Sequence, residues 1–355
     1  LRVSGGQASP QTDAIAAELG VDLVVTNPDK DRLIDIAVRH LDLAVMPETA
    51  TEPGEHALLA RGRHRAFVKV QDGCRYRCAF CIVTKARGDE RSQSVAAVVD
   101  EVNRAHASGI QEVVLAGVHL GGYGSDIGCD LTTLIEAVLS QTAVPRVRLG
   151  SLEPWELTDA FWSLFDDPRL VPHLHLPLQS GADSVLRRMS RRCRSADFRE
   201  LVRQARQAIP GFGITTDIIV GFPGETDAEW QQTVAFARAM PFSHIHVFAY
   251  SPRAGTRAAG MPDQLSHNVK RMRSRQMHAL AQAGRRQILA RAVGQIFEVL
   301  IEGRSGGDAG WSGYTPNYLR VEIEGDTLAD LDNRIIRVRA TALSADGERL
   351  LARPL

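Results

Sequence analysis

Residues 67–81 read "FVKVQDGCRYRCAFC". An alternating, strand-like run, "FVKV" (67–70), leads into three cysteines, Cys74, Cys78 and Cys81, spaced C-x3-C-x2-C. A closed structural zinc site takes four ligands in a tetrahedron. The remaining cysteines, Cys129 and Cys193, lie far along the chain and form no second C-x2-C knuckle. Soft thiolates select zinc, copper(I) or iron–sulfur clusters. A cubane cluster has four iron corners, usually held by four cysteines. Three cysteines would leave one iron open to a small molecule.

The same strand opens a rhythm. Further strand candidates are "EVVLAG" (112–117), "RVRLGS" (146–151), "HLHLPL" (173–178), "ITTDIIVGF" (214–222) and "HIHVFAY" (244–250). Amphipathic helical stretches lie between them: "SVAAVVDEVNRAHASG" (94–109), "SADFRELVRQARQAI" (195–209) and "TDAEWQQTVAFARAM" (226–240). Six strand–helix units in succession predict an α/β domain, a parallel sheet curled toward a barrel, with chemistry at the carboxyl ends of the strands.

Working outward, residues 1–50 read as a partial α/β unit containing "DAIAAELG", "VDLVV" and "DKDRLIDIAVRHL". Residues 51–65, with Pro, Gly and charge but no periodicity, read as a linker to a core domain over 66–290. Residues 291–355 hold short strand-like pieces at 296–303, 318–325, 334–343 and 348–353, which predict a small antiparallel β-barrel. The chain enters at Leu1 on "LRVSGG", an opening that suggests missing upstream sequence.

The 355 residues are 44% hydrophobic and 24% charged, ordinary for a globular protein. Lys+Arg and Asp+Glu are both 42, so net charge predicts no polyanion partner and leaves only local basic patches. Two arginine-rich stretches, 186–207 and 270–291, are such patches, readable as phosphate-binding stripes or as solvated helix faces. Five cysteines, three of them clustered, suit a reducing, cytoplasmic setting rather than a disulfide scaffold. No apolar run approaches the ~18 residues of a membrane span, and no signal peptide opens the chain.

Polar residues follow the apolar strands repeatedly, as a ligand-lined mouth requires. Glu153 follows the third strand, Gln179 and Ser180 the fourth, and Glu225 and Thr226 the fifth. Gly117 opens the glycine-bearing stretch after the second strand, where backbone can approach a ligand. Thr226 and Asp183 are better placed as helix N-caps. Cys193, inside "RRMSRRCRS", reads as part of a solvated basic helix end.

Taken together, "VKVQDGCRYRCAFCIVTKARGDERS", "EVVLAGVHLGGYG", "LGSLEPWELT", "HLHLPLQSGADSVLRRMSRR" and "TTDIIVGFPGET" resemble the methylthiotransferase family of radical S-adenosylmethionine (SAM) enzymes. The resemblance implies a partial (β/α)6 TIM-like barrel, preceded by part of an N-terminal methylthiotransferase domain and followed by a TRAM-like barrel that contacts substrate. It implies that Cys74, Cys78 and Cys81 hold a [4Fe-4S] cluster whose open iron binds SAM. Phe80 takes the aromatic position against adenine, and Gly117, Glu153, Gln179 and Ser180 line the cofactor site. "GYTPNYLRVEIEG" and "SLEPWELT" are most similar to the branch that adds a methylthio group at C2 of N6-threonylcarbamoyladenosine, beside the anticodon of tRNA. Sister branches act on isopentenyladenosine in tRNA or on an aspartate of a ribosomal protein. An electron donor such as flavodoxin or ferredoxin is a further implied partner. If the small barrel contacts RNA, Tyr314, Tyr318 and Arg320 are its candidates.

The family holds a second [4Fe-4S] cluster, which carries sulfur, with three N-terminal cysteines. The block bearing the third matches "SGG" (4–6) here and puts Gly6 at the ligand position, with Ser4 as the shifted alternative. The other two family cysteines would lie upstream of Leu1, so no residue of this chain matches an auxiliary ligand; the sequence reads either as a fragment or as a divergent radical SAM, RNA-binding homologue without sulfur insertion.

Overall fold

The computed structural model describes residues 2–4, 24–26, 29, 32–40, 64–304, 310–324 and 330–355. Gly6, the "DAIAAELG" stretch and linker residues 51–63 lie outside the described residues. Near the amino terminus, β1 (Arg2–Ser4) pairs parallel with β2 (Val24–Thr26), and α1 spans Leu33–His40.

The core is built on six parallel strands: β3 (Arg65–Asp72), β5 (Glu112–Gly117), β6 (Arg146–Leu149), β7 (His173–His175), β8 (Gly213–Val220) and β9 (His244–Ala249). A two-residue strand, β4 (Arg91–Ser92), pairs antiparallel with the carboxyl end of β3. Hydrogen-bonded ladders give the orders β4-β3-β5-β6 and β7-β8-β9. A single parallel bridge, Ser151 to His175, links the two sheets. Among the described residues no ladder joins β9 to β3, so the barrel is open on that side.

Alternation explains how β3 sits. Ala66, Val68 and Val70 are buried in the main core, whereas Phe67 and Lys69 point the other way and are exposed. The helices pack apolar stripes on the sheet's outer face, and each fully buried Val, Leu or Ile stabilises by roughly 1.5–3 kcal/mol. On α3 (Val95–Ala107) that stripe is Val98, Val99, Val102 and Ala105, and Ser94 caps the helix by accepting from Ala97 N. Helix α7 (Asp227–Ala239) starts on a reciprocal capping box of Thr226 and Glu229. Asp183 differs from its reading. It is the first residue of the helix Asp183–Arg188, and its Oδ1 accepts from Ser195 N at the start of α6 (Ser195–Ala208), so it caps the following helix.

A long helix, α8 (His267–Ala292), leads into five strands: β10 (Ile296–Arg304), β11 (Trp311–Tyr314), β12 (Arg320–Ile323), β13 (Ile335–Leu343) and β14 (Leu350–Pro354). They close in the order β10-β11-β12-β14-β13 around Val299, Ile301, Val321, Ile323, Val338 and Leu350. The sequence pattern missed β11, and the barrel is not wholly antiparallel: β12 and β14 run parallel. The reason is parity, because directions cannot alternate all the way round a closed ring of five.

The small barrel seats on the amino-terminal ends of the core strands, opposite the cysteine loop. Arg146 donates to Glu298 O (2.9 Å) and Tyr314 O (3.1 Å), Arg148 to Pro316 O (3.1 Å), and Asn317 to Gly211 O (3.0 Å). Arg65, expected in the linker, is the first residue of β3 and pairs with Glu302 at 2.6 Å. Tyr314 and Tyr318 stack on each other at 4.8 Å, and Tyr318 also meets His173 at 4.9 Å and lies under Arg148 at 4.7 Å. These tyrosines are half-buried parts of the seam, not free stacking platforms for RNA.

Candidate functional site

The loop after β3 turns at Gly73, where φ is +77° and an added Cβ would sit 2.0 Å from Asp89 O. No other residue fits that turn. From it the loop carries Cys74, Cys78 and Cys81 over the barrel mouth, with no disulfide among them. All three line a cavity of about 190 Å³ together with Phe80, Val118, His119, Leu152, Glu153, Gln179 and Arg191.

Each sulfur accepts a hydrogen bond: Cys74 from Tyr76 N (3.4 Å), Cys81 from Val83 N (3.4 Å) and Cys78 from Arg191 Nη1 (3.8 Å). Donors aimed at sulfur favour thiolate, but burial opposes it. Burial pushes the Cys74 thiol up to about 11, with a hydrogen bond from Tyr76 acting the other way. Burial also raises Cys78, against the pull of Arg191. A positively charged group seated among the sulfurs would supply what the protein alone does not. Among the described residues no three His, Cys, Asp or Glu side chains converge as a single metal ion demands. Thiolates that each take a separate iron need not converge, so the donor set fits a cluster better than a lone zinc ion.

Two clusters of side chains fix the mouth. Arg191 makes a two-point ion pair with Glu153 (3.0 and 2.6 Å), donates to Pro177 O (2.6 Å) and lies over the Trp155 ring at 4.6 Å. On the other side His119 is held between Glu90 and Glu156, with Nε2 2.6 Å from Glu156 Oε1. Both ring nitrogens can donate only when the imidazole is charged. Burial works against that charge, yet hydrogen bonds and charge from Glu156 and Glu90 outweigh it, and the His119 pKa is raised. Tyr76, from the cysteine loop, donates to the same Glu156 at 2.8 Å and receives Trp155 Nε1 at 3.1 Å.

Of the residues singled out in the sequence, the three cysteines, Phe80, Glu153 and Gln179 meet at this cavity. Gln179 is held at φ +77° by backbone bonds to Asp217 O and from Ile219 N, a strained conformation that costs of order 1–3 kcal/mol and gathers at functional sites. Ser180 and Gly117 are elsewhere. Fully buried Ser180 bonds Thr233 Oγ1 and accepts from Ala182 N, so its hydroxyl serves α7. Gly117 leaves room for Gln71, whose Oε1 stands 3.1 Å from the place a Cβ would occupy; the adjacent Val118 and His119 face the cavity instead. Cys193 is buried, not solvated, and burial lifts its thiol to about 12. Glu225 is also internal: it accepts from Gly221 N and from buried Arg273.

Some arginines of the two stripes are spent in ion pairs within the fold. Arg188 pairs with Glu229, Arg191 with Glu153, Arg203 with Glu200, and Arg273 with Glu225 and Asp227. The sequence reading passed over His119, Glu90, Glu156, Tyr76 and Arg191 as site residues. His119 does stand just after β5, the signal that led to Glu153 and Gln179.

Residues 68–237 match the model of the Radical SAM superfamily. The threonylcarbamoyladenosine tRNA methylthiotransferase MtaB of Bacillus subtilis is 32% identical over 360 residues, covering 95% of this chain and 77% of that protein. The tRNA-2-methylthio-N(6)-dimethylallyladenosine synthase of Anaeromyxobacter dehalogenans is 35% identical over 355 residues, 96% of this chain and 76% of its own. The ribosomal protein uS12 methylthiotransferase RimO of Desulfotalea psychrophila is 39% identical over 244 residues, 68% of this chain and 55% of its own.

Proposed function

We propose a tRNA substrate for this chain, which belongs to the methylthiotransferase family of radical SAM enzymes: it adds a methylthio group at C2 of N6-threonylcarbamoyladenosine beside the anticodon. The observation that carries the chemistry is the trio of free, hydrogen-bonded thiols around the mouth cavity. The choice of nucleoside is supported by the MtaB relatives of Bacillus subtilis and Thermotoga maritima, 32% and 34% identical over 95% and 94% of this chain.

Cys74, Cys78 and Cys81 would each hold one iron of a [4Fe-4S] cluster. With SAM on the open iron, that group supplies one-electron cleavage of a SAM carbon–sulfur bond. The protein's part is to bind, orient and keep water out. Glu153, clamped by Arg191, offers an anchored carboxylate to an ammonium group, and Phe80 offers a ring face to adenine. Gln179 presents an amide from a strained, rigid backbone. Val118 and Leu152 make part of the wall apolar, which strengthens polar contacts inside.

The stretch "SGG" (4–6) resembles the family block that carries one cysteine of the sulfur-carrying cluster, with Gly6 at the ligand position or Ser4 in the shifted alignment. That departure supports a second reading, in which SAM is cleaved and RNA bound without sulfur insertion. Mass spectrometry of tRNA nucleosides from a deletion strain and its complemented parent separates the readings. Loss of 2-methylthio-N6-threonylcarbamoyladenosine is expected, restored by complementation. Loss of the methylthio isopentenyl nucleoside instead would assign the sister branch. An unchanged profile would overturn the proposal.

A further inference from the structure

A second, larger cavity of about 580 Å³ lies away from the cysteine loop. It is walled by β9, by α8 and by the turn of the small barrel around Asp346, Gly347 and Glu348. Gly347 makes this closeness possible: its φ is +71°, and a Cβ there would sit 2.3 Å from Arg286 Nε. Arg286 donates to Asp346 O at 2.9 Å and ties the turn to the helix. The cleft is therefore built jointly by the core and the small barrel.

Its lining mixes arginines and histidines with two carboxylates, Asp346 and Glu348. His244, His246, His278 and Arg285 gather there. Among the described residues, no hydrogen bond or ion pair engages the Arg285 or His278 side chain. Burial holds the His244 pKa down to about 4, and His246, Arg285, His278 and His175 press it the same way. No carboxylate counters them at that ring. Asp346 is occupied by Ser344, Glu348 N and Arg349.

The cleft also has an aromatic face and a direction. Phe248 is 52% exposed and shares a strand face with His246 and His244. His246 meets His244 at 4.5 Å and His175 at 5.4 Å, and His175 pairs with Asp217 at 3.2 Å on the inner face of the half-barrel. The row continues from the cleft into the barrel, on the side left open between β9 and β3.

We propose that this cleft binds a single-stranded stretch of RNA, with a backbone phosphate on Arg285 and His278 and an unstacked base on Phe248. The proposal rests on the tRNA reading above and names the surface that would receive the loop. The chemistry matches on three counts. A free guanidinium takes a phosphate at two points. An aromatic face takes any splayed base. With the chain neutral as a whole, the attraction to phosphate comes from local cations such as Arg285.

Fluorescence anisotropy tests it, with the full chain, a labelled RNA hairpin carrying a single-stranded loop, and a blunt RNA duplex of equal length across a salt series. Phe248→Ala is expected to weaken hairpin binding about 5–100-fold with an unchanged salt slope. Arg285→Gln is expected to reduce the slope of log K against log salt by about 0.7, one phosphate contact, and Arg285→Lys to restore it. Arg203→Gln, at an exposed pair on α6, serves as the neutral control. Hairpin binding by the wild type that neither Phe248→Ala nor Arg285→Gln alters would overturn the cleft and leave the tRNA reading standing. A wild type that binds no hairpin would overturn both. Preference for the duplex would overturn the single-strand assignment.

Discussion

Replacing Arg191 by Met removes the guanidinium that joins the cysteine loop to the third strand's end. The Arg191 side chain is 2% exposed and its partner Glu153 21%. Breaking a buried ion pair from one side costs about 3–5 kcal/mol, because the other charge is left without compensation. Partial access of water to Glu153 puts the expected loss at the lower end, about 3 kcal/mol. The lost bond to Pro177 O adds about 1 kcal/mol. Adding Glu153→Gln removes the stranded charge, so the double variant should recover about 2 kcal/mol relative to additivity. Guanidinium unfolding followed by tryptophan fluorescence is well suited, since Trp155 lies directly beneath Arg191. Arg191→Met and Glu153→Gln effects that add within about 0.5 kcal/mol would refute this account of the pair. The same cycle read on SAM affinity should place most of the loss on Glu153.

Gly73→Ala should cost about 1–3 kcal/mol through its positive φ alone, and more through the clash with Asp89 O; circular dichroism should keep the native signature while iron uptake falls. His119 gives a pH signature. Its folded pKa is raised above the unfolded value of about 6.5, so its contribution is fully present below that value and is lost as pH rises through the folded pKa. Stability measured from pH 6 upward should therefore decline, and His119→Gln should flatten that decline; an unchanged slope would contradict the assignment. Tyr318→Ala, which empties the stack with Tyr314, His173 and two arginines, should cost about 2–4 kcal/mol and speed hydrogen exchange at Gly213 and Thr315.

The strands and the cysteine loop were legible because their signals are local. Alternation marks β3 and a β-branched run marks β8, the Ser94 and Thr226 caps mark helix starts, and C-x3-C-x2-C is a contiguous motif. What stayed hidden depends on partners distant in sequence. His119 lies 29 residues from Glu90 and 37 from Glu156, and Arg191 lies 38 from Glu153. Nothing in the spacing says that they meet. Tyr314 and Tyr318 look like exposed aromatics until the core's Arg65 and His173 are placed against them. Arg188, Arg191 and Arg273 read as free cations until Glu229, Glu153 and Glu225 arrive from other elements. Ser180 shows the converse error: a polar residue after a strand end need not face the mouth, because the adjacent helix can claim its hydroxyl.

The central claim is that the three mouth thiols form the SAM-cleaving site. It is tested most directly by 5′-deoxyadenosine release from SAM after anaerobic reconstitution with iron and sulfide and reduction with dithionite. Wild type and Cys129→Ser should release 5′-deoxyadenosine, whereas Cys74→Ser, Cys78→Ser and Cys81→Ser should each release none above background. Release at the wild-type rate by any one of those three variants would contradict the account.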